Sequence, residues 1–362
     1  MNSSVYFSEN YHVAKDRFCQ AATDLGAVLT SYPIDGSPNL TIDVAVLGEA
    51  VAQNATIITS GLHGVEGYFG SAAQLAWLST AAPLSMLQQN RIVLVHAMNP
   101  FGFANNRRVN ENNIDLNRNF LTDPANYNGS PEAYGNLNQL LNPTSAPSRW
   151  EPFTAKALWT IARMGLPQVK QAVAGGQYDY PKGLFFGGQQ QSHSASVFQQ
   201  NLHSWIGGAN NVIHVDLHTG LGKRGRYKLL LSDPTPDEWY ARTFGADFVE
   251  APSTGEGTAY DSSGSLGQWC LSVFPDLNYR YVLAEFGTYG VIRVLSALRA
   301  ENRAHFYCQP NDPRQATAKA NLMECFCPAS KSWRTAILQK ALTVFQQATS
   351  ASWSETEREE TE

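Results

Sequence analysis

Apolar and polar positions along this chain change period several times, and each change marks an element. Residues 8–29 repeat with helical spacing, Phe18, Ala21, Ala22 and Leu25 sharing one side. Residues 40–47 alternate and predict a strand, with Pro33 and Gly36 turning the chain before it. The run Thr56-Ile57-Ile58-Thr59-Ser60 predicts a buried strand, and Gly61, Gly64 and Gly67 allow a sharp turn at its end. A helix is expected over 67–78 and a strand over 91–96, which makes a parallel strand–helix–strand unit.

Residues 97–120 are polar, asparagine-rich and aperiodic, too long for a simple connection and therefore a functional loop. Residues 121–150 read as irregular surface structure, and 151–173 as a helix interrupted at Pro167. Residues 175–191 form a loop. Further helices are expected over 193–206, 289–306 and 332–348, and strands over 211–217, 227–231 and 281–286, with short helix and loop between the last two strands. The expected fold class is α/β: one domain, residues 1–348, with a mixed, largely parallel twisted β-sheet flanked by helices. An inserted loop and helix region falls at about 121–210, and residues 349–362 are a frayed acidic tail.

Composition narrows the partners. Hydrophobic content of 43% and charged content of 16% describe an ordinary globular chain. A net charge of −5 without a basic run gives no reason to expect nucleic acid. No stretch of about 18 apolar residues predicts a membrane span. The polar first twenty residues lack the apolar core of a signal peptide. The cysteines are Cys19, Cys270, Cys308, Cys325 and Cys327; an odd set predicts reduced thiols and a cytoplasmic location. Cys325-x-Cys327 has no second pair and is not read as a metal site.

His63 and Glu66 follow the 56–60 strand at a spacing of three. They are nitrogen and oxygen donors one turn apart, beside the crevice where α/β sheets bind ligands. His214 and His218 lie four apart in a strand, which separates them by roughly 13 Å. His218, at the strand's end, is the better ligand, and His214 reads as a packed histidine. Asp216 shares a strand face with His218, where it either orients that ring or caps the backbone locally. Arg108, beside Arg107, suits a role holding developing negative charge. Asn117 and Arg118 suit a carboxylate, which a guanidinium grips in a planar fork. Glu285 closes an apolar strand, where a carboxylate is costly unless used or paired.

Taken in chain order, His63-x-x-Glu66, Arg108-x-Asn110, Asp115-Leu116-Asn117-Arg118-Asn119-Phe120, His218, Tyr260 and Glu285 resemble the zinc carboxypeptidase-like metallopeptidase family, related to the aspartoacylase and succinylglutamate desuccinylase group. The resemblance runs over about residues 40–300. It implies one zinc ion per chain, bound by His63, Glu66 and His218, with Asp115 bonded to the first histidine. It implies that Arg108, or its neighbour Arg107, stabilises an oxyanion. Asn117 and Arg118 would recognise a terminal carboxylate, and Tyr260 would close over the substrate from a mobile loop. Glu285 would be the general base that activates zinc-bound water. The implied function is hydrolysis of an amide next to a carboxylate-bearing residue, as a metallocarboxypeptidase. The alternatives are an N-acyl amino acid deacylase and a non-catalytic binding domain. The expected substrate is a peptide or N-acyl amino acid with a free carboxylate. Asp216-Leu217-His218 is closer to the deacylase branch, whereas Asn117, Arg118 and Tyr260 point to the peptidase side. Leu266 hints at a neutral pocket.

Overall fold

One sheet runs through the centre of the molecule. The computed structural model describes residues 3–80, 90–123, 126–233, 236–251 and 263–353. Its strands are β1 (Val28–Ile34), β2 (Ser37–Leu47), β3 (Asn54–Ser60), β4 (Asn90–His96), β5 (Asn211–Gly220), β6 (Tyr227–Leu231), β7 (Val249–Glu250) and β8 (Asn278–Gly287). They lie in the order β1-β2-β4-β3-β5-β8-β6-β7. The four central strands β4, β3, β5 and β8 are parallel. β2 joins β4, and β6 joins β8, antiparallel. The sheet is therefore mixed and largely parallel, with helices on both faces.

Alternation within the strands sets the two faces. Ile58, Leu94, Val215 and Ala284 face α1 (Tyr11–Asp24), α2 (Gly67–Ser79) and α12 (Lys331–Thr349). Ile57, Val93 and Val212 face α7 (His193–Ile206) and α9 (Leu266–Val273). A third apolar cluster joins α4 (Glu132–Leu141), α6 (Leu166–Ala174), α10 (Val291–Tyr307) and α11 (Pro313–Phe326). The remaining helices are α3 (Pro100–Ala104), α5 (Phe153–Met164) and α8 (Trp239–Phe244).

The structure departs from the sequence reading in four places. The first helix stops at Asp24, because Gly26 takes a positive φ of 75° and Val28–Ile34 then forms the sheet's edge strand. An edge tolerates Pro33, which lacks the N–H for a ladder bond. α4 lies inside the stretch read as irregular; its Tyr134, Leu137 and Leu141 are buried at helical spacing. α11 starts from an Asp312 cap with proline at its first turn, a signal the sequence reading passed over. Finally, Trp353 stacks on Trp239, whose Nε1 donates to Ser352 O. The start of the supposed tail is thus packed; its acidic remainder lies outside the described residues.

The five cysteines are free. Among the described residues no helix is long and apolar enough to cross a membrane.

His96 ends β4 fully buried, stacked on Phe18 at 4.6 Å, with Nε2 3.0 Å from Ser71 Oγ. Burial, then the charge of Lys15, pulls its pKa down to about 3. The unfolded chain therefore holds a proton that the folded chain excludes between roughly pH 6.5 and 3. Stability should fall as pH drops through that window, by up to about 1.4 kcal/mol per unit from this residue. Burial raises the neighbouring Asp43, which offsets part of the loss at the acid end. Urea titrations at pH 5, 6 and 7 should show a shallower acid slope for His96→Gln, and an unchanged slope would exclude His96 as the source.

Candidate metal centre

The strand β3 ends at Ser60, and a single turn of 3-10 helix, Gly64–Glu66, follows His63. This turn is docked on the loop after β4 through backbone bonds: Gly64 N donates to Arg108 O (3.0 Å) and Val65 N to Arg107 O (2.8 Å). Only glycine fits at 64, because a Cβ there would lie 2.1 Å from the backbone of Gly102. The local sequence thereby fixes both His63 and Glu66 relative to Arg108.

β5 and β8 supply the opposite wall. His218 and Glu285 are register partners on adjacent parallel strands. Alternation puts them on the same face, at the carboxyl ends of their strands. His63, Glu66 and His218 are all buried, and one ligand atom from each lies within 4.8 Å of the others; this is the one such group among the described residues. His63 Nδ1 is 2.9 Å from Glu66 Oε1, and His218 Nδ1 is 3.1 Å from Glu66 Oε2. Thr219 N donates to the same Oε2 (2.9 Å).

The outer nitrogen of each ring is held by an aspartate. His63 Nε2 lies 3.0 Å from Asp115 Oδ1, and His218 Nε2 2.7 Å from Asp216 Oδ2. Both Nδ1 atoms therefore face the common centre, and a cation bound there would leave each ring proton on Nε2, facing its aspartate. Asp216 also accepts from Thr59 Oγ1 (2.6 Å) and Tyr281 Oη (2.9 Å). Two imidazole nitrogens and a carboxylate oxygen, each oriented from behind, are the donor set of a three-ligand zinc site. His214 stands apart at mid-strand. It is buried, with Nδ1 2.9 Å from Tyr279 Oη and Nε2 3.0 Å from Thr59 Oγ1.

The electrostatics divide the carboxylates. Burial alone would raise Glu66, but the charge of His63 and the bond to His218 hold it below the usual carboxylate range. Asp115 is likewise pulled well down against burial, chiefly by Arg108 and then by His63 and Arg118. Burial lowers His218, yet Asp216 and Glu66 raise it well above an ordinary histidine. Glu285 goes the other way. Burial and the nearby charge of Glu66 push it up to about 7, although Leu221 N donates to its Oε1 at 2.8 Å.

The two adjacent arginines separate cleanly. Arg108 spans the cluster: Nε donates to Asp115 Oδ2 (3.1 Å), Nη1 to Glu66 Oε1 (3.3 Å), and Nη2 lies 2.7 Å from His63 Nε2. Arg107 points away into the core, where Nε donates to Glu301 (2.8 Å) and Nη2 to Asn113 (3.1 Å). Arg107→Ala should cost about 3–5 kcal/mol, since it strands a buried Glu301. Arg108→Ala should cost less, because His63 and Arg118 still compensate the buried Asp115. Equal losses in thermal unfolding would refute this division.

Asn117 and Arg118 do not stand together as the sequence suggested. Asn117 lines the cavity beside the cluster, its Oδ1 accepting from Leu266 N (3.0 Å). Arg118 is fully buried and absent from the cavity wall, with Nη1 donating to Asn117 O. Its side chain packs against Gly176, while its backbone carbonyl lies against Gly264. Tyr260 lies outside the described residues. Three site neighbours escaped the sequence reading: Tyr281, which supports Asp216; Phe185, 5.4 Å from the Arg108 guanidinium carbon; and Lys170, on the cavity wall. Only Tyr281 left a signal, since it shares an alternating face with Glu285.

The sheet is mixed and largely parallel, and the cluster lies at its carboxyl edge. A family model described as "Protein of unknown function (DUF2817)" matches residues 7–340, and the chain belongs to that family. No curated protein matches it. Among solved structures it is similar to bovine thrombin-activatable fibrinolysis inhibitor in complex with tick carboxypeptidase inhibitor, at 10% identity over 95% of this chain and 96% of that one, TM-score 0.49. It is also similar to carboxypeptidase A from Helicoverpa armigera, at 10% identity over 87% and 73%, TM-score 0.47. Murein-tripeptide amidase MpaA from Escherichia coli O157 matches at 17% identity over 78% and 93%, TM-score 0.39.

Proposed function

We propose that this protein is a zinc-dependent amide hydrolase of the carboxypeptidase type. The observation that carries the reading is the convergence of His63, Glu66 and His218, each histidine backed by an aspartate, beside a separate buried carboxylate, Glu285. Zinc held by His63, Glu66 and His218 would polarise the substrate carbonyl as a Lewis acid and bring the pKa of water towards about 7. Glu285 then serves as base: buried opposite His218 in the register, it can take a proton from water and return it to the leaving nitrogen. Asp115 and Asp216 keep the two rings in the ligating tautomer. Arg108 supplies the positive charge for the developing oxyanion. Asn117, on the cavity wall, is the remaining member of the expected carboxylate-binding pair with access to substrate.

A second reading within the same chemistry is an N-acyl amino acid deacylase. The Asp216-Leu217-His218 string, closer to the deacylase branch, favours it. Zinc-loaded protein assayed on C-terminally free dipeptides and on N-acyl amino acids separates the two. We expect release of free amino acid from at least one series, suppressed by chelation and restored by zinc. Turnover of acyl amino acids alone selects the deacylase, and inactivity on both series defeats the hydrolase proposal.

A further inference from the structure

The region from α4 to α6 has no part in the ligand cluster, yet it builds one side of a cavity beside it. That cavity has a volume of about 540 Å³, and its wall includes His63, Glu66, Arg108, His218 and Glu285. The remainder is chiefly aliphatic: Leu137 and Leu141 from α4, Ile161 from α5, Val169 from α6, and Leu295 and Leu298 from α10. Gly165, at a φ of 84°, separates α5 from α6 and lets both contribute a face to the cavity. The volume is that of a small-molecule site; Thr160, Lys170, Ser232, Gln268 and Ser272 interrupt a lining that is otherwise mainly apolar. Its α4, α5 and α10 side, with Leu137, Leu141, Ile161, Leu295 and Leu298, offers a polar chain few hydrogen-bond partners, so short hydrophilic peptides would leave that side empty or lose solvation on entering it.

We infer that this cavity receives an aliphatic chain attached next to the scissile amide, so that the substrates are long-chain amides rather than short polar peptides. The inference rests on the hydrolase reading for the word substrate, and on the cavity alone for chain binding. Each methylene buried there strengthens binding about fourfold, the equivalent of about 0.8 kcal/mol. Occupation also excludes water from the cluster side of the cavity.

The test begins with binding. Straight-chain carboxylates from butanoate to dodecanoate are titrated calorimetrically into the zinc-loaded protein. Affinity is expected to climb about fourfold per methylene over the early members of the series. Ile161→Trp, at a half-buried wall position, should lower the ratio of dodecanoate to butanoate affinity at least tenfold. Ala157→Phe, also on the wall, is the second filling variant should the first melt early. A flat series in wild type overturns the inference, as does an unmoved ratio in a filling variant that melts like wild type. Hydrolysis then assigns the side of the bond: N-dodecanoylglycine is compared with N-acetylglycine, and glycine dodecylamide with glycine methylamide. Preference for the long member of either pair supports the inference. Steep binding with no hydrolysis of any amide defeats the hydrolase reading and the substrate assignment with it, but keeps the chain site. Hydrolysis of the short amides with flat binding defeats this inference alone.

Discussion

Glu285→Gln should lower amide hydrolysis by about 10²–10⁴-fold while the protein still binds one equivalent of zinc. The argument is one of position and charge. Glu285 sits opposite His218 in the sheet register, so it faces the cluster without belonging to the group whose atoms converge. Its Oε1 is tethered by Leu221 N, which leaves the rest of the carboxyl for proton transfer. In the ion-free cluster burial and the charge of Glu66 push its pKa up to about 7, and a cation bound beside it would draw it lower, into the ionised form a base needs. Glutamine keeps the amide oxygen for Leu221 and almost the same volume, but cannot take a proton. It also removes one of two neighbouring buried carboxylates, so the variant should melt at or above the wild-type temperature. Metal content by atomic emission, thermal unfolding and turnover on the best substrate of the panel together decide the case. Turnover within tenfold of wild type, with zinc bound, would remove Glu285 from the role of base.

How much of this was legible beforehand depends on whether a residue's role is local or set by packing. The strand endings were readable, because apolar runs stop where glycine and polar residues begin. That is why His63, Glu66, His218 and Glu285 stood out before any contact was known. The pairing of Asp216 with His218 follows from alternation alone, and only its competing role as a backbone cap needed the coordinates to address. Arg118 was different. Its motif suggested an exposed fork, but its side chain is buried against Gly176, far away in sequence. Arg107 and Arg108 are identical in type and adjacent in sequence, and only the distant Glu301 distinguishes them. The edge strand β1 was hidden for another reason. Its outward-facing half-exposed pattern, with a proline, imitates a loop more than a sheet interior. The cavity could not be foreseen, since it needs α4, α5, α6 and α10 to meet.

His218→Ala should abolish both stoichiometric zinc binding and hydrolysis, whereas His214→Ala should keep the metal. The two histidines share β5 and its face, and nothing in their residue type separates them. Their depth does: His218 pairs with Glu285 at the carboxyl edge, while His214 pairs with Tyr281 four residues deeper. That separation is roughly 13 Å along an extended strand, beyond what one ion can span. Loss of a partner behind a ligand typically costs 10–100-fold in metal affinity, so loss of the ligand itself should exceed about 100-fold. His214→Ala instead removes the ring bonded to Tyr279 Oη, while Thr59 Oγ1 keeps its bond to Asp216. Its penalty is structural, about 1–3 kcal/mol for the tyrosine hydroxyl that loses the ring. Competition titration with a zinc chelator measures the first effect, and urea unfolding the second. If His214→Ala loses zinc while His218→Ala retains it, the ligand set drawn from the ends of β3 and β5 is wrong. If both lose zinc but only His214→Ala unfolds early, its metal loss follows from the fold and the ligand set stands.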